Sequence, residues 1–326
     1  MEKFVVIDGN AILHRAFHAL PLLTSRDGQV VNAVYGFFSM FLKILQELKP
    51  KYIVVCFDKE KPTFRQSLFV GYQAKRPKMA DELVPQIGIV HDVLQKAKIS
   101  IFEVDGYEAD DLIGTLANQV QSSKFKVQSS ETIIVSGDRD MLQLVNSYVK
   151  VLAPVKGITE MILFDEKKVE EKYGIKPLQI IDYKALVGDA SDNYPGVKGI
   201  GPKTAASLLK EYGSFENMYK AINSLPPKIS EKLATDAEQA SLAKKLATIV
   251  TDAPVTLKLD ECLCAKFNME GLKEKFERLG FKSLIKRVQN KETKGTPLLR
   301  HLADSEVQAK EKKKRDEKKS QQLGLL

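Results

Sequence analysis

Three short apolar, largely β-branched runs, Phe4–Ile7, Tyr52–Phe57 and Thr132–Val135, constrain the fold of this chain more than any other feature. None alternates between polar and apolar residues, so each reads as a strand covered on both faces, as in a parallel sheet. Val149–Pro154 reads as a further strand. Between the runs lie helical patterns, among them Ala33–Leu48 and Leu83–Lys96, and strands that alternate with helices imply a mostly parallel α/β sheet with flanking helices. The hydrophilic stretch Gln121–Glu131 reads as a surface loop. From Pro177 the pattern turns helical, with Gly- and Pro-rich turns at Tyr194–Pro202 and Leu225–Pro227, and beyond Asn290 the chain is polar and lysine-rich. The expected organisation is an α/β domain over 1–176, a helical region over 177–290 and a solvated basic tail over 291–326.

Each of the three runs is followed by an acid: Asp8 after FVVI, Asp58 after YIVVCF and Asp138 after TIIVSG. In an open α/β sheet the ligand crevice lies beyond the carboxyl ends of the strands, so neighbouring strands would bring the three acids to one edge. Asp140 makes a D-x-D pair with Asp138, while Glu108, Asp110 and Asp111 open the amphipathic run LIGTLANQV. Acids in the first turn of a helix favour the positive end of its dipole, which accounts for one or two of them but not for a set facing three strand ends. Asp189 and Asp192 of GDASDN share a face if that turn is helical. Nine carboxylates in one pocket would repel and resist ionisation unless cations neutralised them. Oxygen ligands select Mg²⁺ or Mn²⁺ rather than zinc, and two such ions about 3.5–4 Å apart suit phosphodiester hydrolysis.

The formal net charge of +8 points to an acidic partner, the more so because so many carboxylates fall in a few short motifs. In GVKGIGPKTA, Gly199 and Gly201 permit a tight turn and Pro202 suits the first position of the following helix. Backbone N–H groups there, through Thr204, would bind phosphate, with Lys198 and Lys203 adding charge, and no side chain suited to reading bases is evident. Lys59 to Met79 interleaves basic residues, Arg65 among them, with Phe64, Phe69 and Tyr72, a composition suited to a single strand or, equally, to a partly exposed amphipathic helix and loop. Arg15 is a further phosphate candidate. A phosphatase with D-x-D has no need of a duplex-binding turn, a non-catalytic DNA-binding relative would lack part of the acid set, and an RNA-directed nuclease of the same fold is disfavoured by the turn. The three cysteines form neither a disulfide framework nor a zinc site. No apolar run is long enough to span a membrane and the N-terminus shows no secretory signal, so a cytoplasmic, nucleoid-associated protein is expected.

The set VIDGN, VCFDKEKPTFR, GYEADDLIGTLA, VSGDRDMLQLV and LVGDASDNYPGVKGIGPKTAASLL, in that order, resembles the 5′-nuclease family, which includes the 5′-3′ exonuclease domain of bacterial DNA polymerase I and the flap endonucleases. The likeness covers about residues 1–287. It implies a PIN-like catalytic domain with a helical arch at about 59–85, a helix-three-turn-helix DNA-binding region, two Mg²⁺ ions for which Mn²⁺ substitutes, and cleavage of 5′ flaps and nicked or primed duplex ends in replication and repair. It places Asp58, Glu108, Asp110 and Asp111 around one metal, and Asp138, Asp140 and Asp192 around the other, with Asp8 and Asp189 close by. Arg15 and Arg76 match residues near the scissile phosphate, and Tyr72 the aromatic of the arch.

One position departs from the family's pattern: a lysine follows that tyrosine in the family, and Gln73 stands here, which leaves Lys75 to supply the charge together with Arg76. No polymerase follows, so the chain resembles the free-standing members, expected to be monomeric. Its last residues, with Gln322, Leu323, Leu325 and Leu326, resemble the peptide by which bacterial replication proteins dock on the sliding clamp, and equally an arbitrary apolar end.

Overall fold

The structure, a computed structural model, describes residues 2–122 and 130–289. Most of the hydrophilic stretch after Gln121, and the whole basic tail with Gln322, Leu323, Leu325 and Leu326, lie outside the described residues.

The first half alternates as the apolar runs imply. Strand β1 (Lys3–Asp8) leads into α1 (Gly9–Ala19) and α2 (Asn32–Leu48), and β2 (Tyr52–Cys56) into α3 (Phe64–Leu68) and α4 (Val84–Lys96). Then come β3 (Ser100–Phe102), α5 (Ala109–Gln121), β4 (Glu131–Val135), a 3₁₀ turn at Asp140–Leu144, and the pair β5 (Val149–Lys156) and β6 (Glu160–Phe164). The sheet order is β3-β2-β1-β4-β5-β6, parallel throughout except for β6. The three acid-bearing strands are therefore neighbours, with β1 between β2 and β4. The chain builds the sheet one way from β1 to β3 and then restarts on the other side with β4, so a crevice opens at the carboxyl ends of β1 and β4.

Side chains alternate across the sheet, and both faces are buried. Val5, Ile7, Ile53, Val55 and Val135 pack into one core with α2 and α4, while Phe4, Val6, Val54 and Ile134 pack into the other against α5. Two short strands had no legible signal. Strand β3 is only three residues long, and β6 is the antiparallel edge, reached from β5 through a bend at Gly157.

The second half runs α6 (Glu166–Tyr173), α7 (Ile180–Val187), the two-residue strands β7 (Gly188–Asp189) and β8 (Tyr194–Pro195), α8 (Pro202–Tyr212), α9 (Phe215–Lys220), α10 (Pro227–Thr235) and α11 (Ala237–Ala247). The turn GDASDN is the loop of the β7–β8 hairpin and not a helix: Asp189 and Asp192 approach because a hairpin folds them together, with Asn193 in the left-handed region at φ 57°. Behind that hairpin a Cβ on Gly196 would stand 2.3 Å from the Leu186 carbonyl oxygen, so only glycine lets the returning strand lie against α7. The last helices, α12 (Met269–Leu279) and α13 (Lys282–Gln289), return to the first half, where Leu272, Phe276, Phe281 and Leu284 join the core of α2 and α4. Among the described residues no helix is long and apolar enough to cross a membrane.

Candidate metal and nucleic-acid site

Asp8 ends β1 and caps α1, accepting from Ala11 N at 2.9 Å and from the Ser136 hydroxyl at 2.6 Å. Burial pushes its carboxyl up to about 7 against those two donors, with Asp58 and Asp138 adding repulsion. Asp58 accepts from Ala109 N at 2.7 Å, which ties the end of β2 to the start of α5, and Asn10 in turn holds the Asp58 N–H at 3.0 Å. Asp138 follows β4, its N–H on Ser136 Oγ and its carboxylate accepting from Asp140 N at 2.8 Å. Lost hydration and neighbouring acids raise Asp110 well above the usual carboxylate range; the neighbours are Asp138, Asp8, Asp58 and Glu108. Acids from β1, β2, α5 and the β4 loop thus crowd one crevice so closely that they resist ionising there.

A second cluster adjoins it. Carboxylate oxygens of Asp140, Asp189 and Asp192 lie within 4.8 Å of one another. Lys184, from α7, ion-pairs with both Asp140 and Asp189, and Arg76 reaches Asp192 at 2.5 Å. The Asp189 carboxyl is held below its ordinary value: burial opposes ionisation, but Lys184 and the hydrogen bonds from Ser191 outweigh it. The resemblance sets Asp138 with Asp140 and Asp192 and gives Asp189 as a close or outer ligand; the trio whose oxygens converge here is Asp140, Asp189 and Asp192.

Two expected residues face the other way. Arg65, expected to hold DNA, is only 2% exposed. Its guanidinium grips Asp111 with both arms, at 2.7 and 2.8 Å, and donates to the carbonyls of Leu246 and Thr248. Asp111, expected as a metal ligand, is fully buried, its carboxylate taken up by Arg65 and by the N–H groups of Glu108 and Val250. The pair is a strut between α3, α5 and the segment after α11. Its position makes both residues unavailable to solvent, metal or strand.

The arch segment is not one helix. Gln66 accepts from the Thr63 N–H to start α3, which ends at Leu68, and the chain then turns through Gln73 in the left-handed region at φ 57°. Gln73 N donates to the Asp192 carbonyl and Asn193 Nδ2 to the Gly71 carbonyl, at 2.9 and 2.7 Å, so this turn is bolted to the β7–β8 loop. Tyr72 points inward: its ring stacks on Tyr194 at 6.5 Å and its hydroxyl donates to Glu108 and Asp192 at 3.1 and 3.3 Å. An inward ring is not a platform for a passing base. Arg76 is half-exposed and Lys75 exposed, while Arg15 donates to the Gly157 carbonyl at 3.0 Å.

Gly199 adopts φ 77°, and Gly201 precedes Pro202 at the start of α8. No backbone acceptor among the described residues takes the N–H groups of Gly199, Gly201, Lys203 and Thr204, and Lys198 and Lys203 are exposed beside them. That is the arrangement of an anion-binding helix N-terminus.

Sequence reasoning missed Lys184, Tyr194 and Ser136. Lys184 had a signal: it and Asp182 are the charged residues in the largely apolar run IIDYKALV, where charge demands partners. Tyr194 and Ser136 had none: Tyr194 stacks on Tyr72, and Ser136 joins its near neighbour Asp138 to Asp8, both through contacts distant in sequence.

Residues 3–174 match the family model of the 5′-3′ exonuclease N-terminal, resolvase-like domain, and residues 175–270 that of the 5′-3′ exonuclease C-terminal SAM fold. A 5′-3′ exonuclease of Aquifex aeolicus is 37% identical over 288 residues, 88% of this chain and 96% of that protein. DNA polymerase I of Caldicellulosiruptor bescii is 42% identical over 327 residues, and that of Bacillus subtilis 42% over 288, covering 99% and 88% of this chain. The chain spans only 38% and 32% of those two polymerases. Among solved structures, the bacteriophage T5 D15 flap endonuclease in complex with DNA and metal ions matches with a TM-score of 0.62 at 18% identity, over 89% of this chain and 98% of that one. The catalytic core of Rad2 in complex with a DNA substrate matches at 0.55 and 14% identity, over 88% and 92%. These two likenesses are of fold: a mostly parallel α/β sheet followed by a helical part. With two adjoining family models matching in order and a 37% identical relative covered almost end to end, the chain is a member of the 5′-3′ exonuclease family.

Proposed function

We propose that this chain is a structure-specific DNA nuclease that hydrolyses phosphodiester bonds at 5′ flaps, nicks and single-strand/duplex junctions, in primer removal and repair. The observation that carries the reading is the acid crevice at the sheet's switch point, in a chain whose Asp189–Asp192 hairpin leads directly into a helix N-terminus with N–H groups that no backbone acceptor takes among the described residues. The donors are all carboxylate oxygens, and burial with mutual repulsion raises Asp8 and Asp110, a penalty on their ionised forms that bound cations would relieve. This fits Mg²⁺, with Mn²⁺ as a substitute. Asp58, Glu108 and Asp110 would hold one ion, and Asp138, Asp140, Asp189 and Asp192 the other, with Asp8 between them. Bound there, such ions activate water and stabilise the leaving oxygen.

The protein's own residues bind and orient. The turn at Lys198–Thr204 takes phosphates of the duplex without regard to sequence. The segment at 59–85 grips the single strand, with the exposed Lys75 and the half-exposed Arg76 as its phosphate ligands in place of the lysine that Gln73 replaces. Asp8 and Asp138, both tied to Ser136, keep the ends of β1 and β4 in register across the crevice.

Asp138→Asn separates binding from chemistry. It should bind a labelled 5′-flap duplex in EDTA as the parent does, with cleavage in Mg²⁺ down at least about 100-fold, the upper end of the effect seen for outer partners of metal ligands. A variant that still cleaved at near-parental rate would remove Asp138 from the site.

A further inference from the structure

The duplex-binding turn is held in shape by side chains of another helix. Lys232, on α10, donates from Nζ to the Gly199 carbonyl at 2.9 Å. Asp236, four residues on and at the end of the same helix, accepts from the Lys198 N–H at 2.6 Å. The base takes the turn's carbonyl and the acid takes its N–H, one residue apart, from neighbouring positions on one helix face. Gln239 adds a third hold, donating to the Pro195 carbonyl at 3.1 Å.

Two details mark this as more than incidental packing. Asp236 sits at the N-cap of α11, where an aspartate ordinarily accepts from its own helix, yet its side chain caps nothing there and is turned onto Lys198 instead. Gly199 is also closed over by the lysine: a Cβ on it would stand 2.7 Å from Lys232 Nζ. A left-handed glycine is free to swing, and the two contacts on either side of the Lys198–Gly199 peptide remove that freedom. The N–H groups left over are those of Gly199, Gly201, Lys203 and Thr204, which no backbone acceptor takes among the described residues.

We propose that Lys232 and Asp236 are positioning residues that clasp the Lys198–Gly199 peptide and so pre-shape the turn that receives duplex phosphate. This rests on the reading of that turn as the duplex-binding element. Neither residue touches the nucleic acid; each acts through the backbone it holds, so the benefit appears in affinity and not in the chemical step.

The test uses the full chain and a labelled 5′-flap duplex, with Kd measured in EDTA and steady-state cleavage in Mg²⁺. Asp236→Ala and Lys232→Met should each raise Kd and KM about tenfold, the worth of one charge-assisted hydrogen bond, with kcat at saturating flap within about twofold of the parent. Asp236→Asn keeps an acceptor and Lys232→Gln keeps a donor, and both should recover to within about threefold of the parent, as neutral hydrogen bonds are weaker than charged ones. The slope of log Kd against log salt should be unchanged in Lys232→Met; a slope lowered by about one would make Lys232 a phosphate ligand and overturn its role as a clasp. Lys203→Ala, run in parallel, reports on the turn itself. If it binds the flap as the parent does, the duplex-binding reading fails and the clasp falls with it. If it weakens binding while Asp236→Ala and Lys232→Met do not, the clasp alone is overturned. A lower melting temperature in those two variants with unchanged KM would likewise assign them to stability only.

Discussion

Arg65 shows what a single residue contributes when its neighbours decide its role. In sequence it stands among basic and aromatic residues, a context that looks the same whether the guanidinium faces phosphate or the interior. In the structure it is a buried fork on Asp111, and it carries α3 on the start of α5. Removing one partner of such a pair leaves an uncompensated charge, so Arg65→Ala should lower stability by about 3–5 kcal/mol in urea unfolding. Arg65→Lys should recover little, because a point charge cannot replace the two-armed contact. An Arg65→Ala variant as stable as the parent, with weakened DNA binding, would return the residue to the nucleic-acid surface. The acids were legible for the opposite reason: Asp8, Asp58 and Asp138 each follow a run that could only be a buried strand, so the sheet's geometry located them before any contact was known. Asp111 was not separable from Glu108 and Asp110 by that logic, since only the side of α5 it projects from sets it apart.

At the scale of elements, the arch segment and the β7–β8 hairpin act as one unit, bolted by Gln73, Asn193 and the Tyr72–Tyr194 stack. The approach of Asp189 and Asp192, read from GDASDN on the condition of a helical turn, is instead made by a hairpin loop of four residues, which brings positions three apart together as well. Gln73 sits in the left-handed region with its N–H spent on the hairpin, and just after it Lys75 is exposed while the half-exposed Arg76 reaches Asp192. Lys75→Ala should therefore slow single-turnover flap cleavage about tenfold, the loss of one charge-assisted contact. Parental single-turnover rates in that variant would leave the charge missing at Gln73 uncompensated by Lys75. Strands β3 and β6 escaped the sequence reading because one is too short for a periodic signal and the other is an edge whose burial pattern is mixed.

At the scale of the whole molecule, the sheet order β3-β2-β1-β4-β5-β6 explains why acids from four parts of the chain meet. That crowding has a cost that depends on pH. Asp8 ionises near 3.8 in the unfolded chain and at about 7 in the fold, so between those values the folded state holds the extra proton. Stability from this group is therefore greatest at the acid end of that window, falls as pH rises through it, and is at its lowest above about 7. Divalent cations should offset the loss: at pH 8 in Mg²⁺ the melting temperature should exceed that in EDTA by at least about 3 °C, with a smaller gain at pH 5.5. A gain equal at both pH values would mean that cation binding releases no proton from the crevice. The last helices, α12 and α13, close against α2 and α4, so the two halves share a core and the crevice is framed by the whole fold.

Whether this crevice cuts branched duplex DNA with the help of cations is decided by cleavage of three labelled substrates, a 5′ flap, a nicked duplex and a blunt duplex, in Mg²⁺ and in EDTA. Cutting is expected near the junction of the flap and from the nick, with slow reaction at the blunt end, none of it in EDTA, and recovery when Mg²⁺ or Mn²⁺ is restored. Cleavage that persists in EDTA, or no cleavage of any of the three in Mg²⁺, would contradict the proposed function.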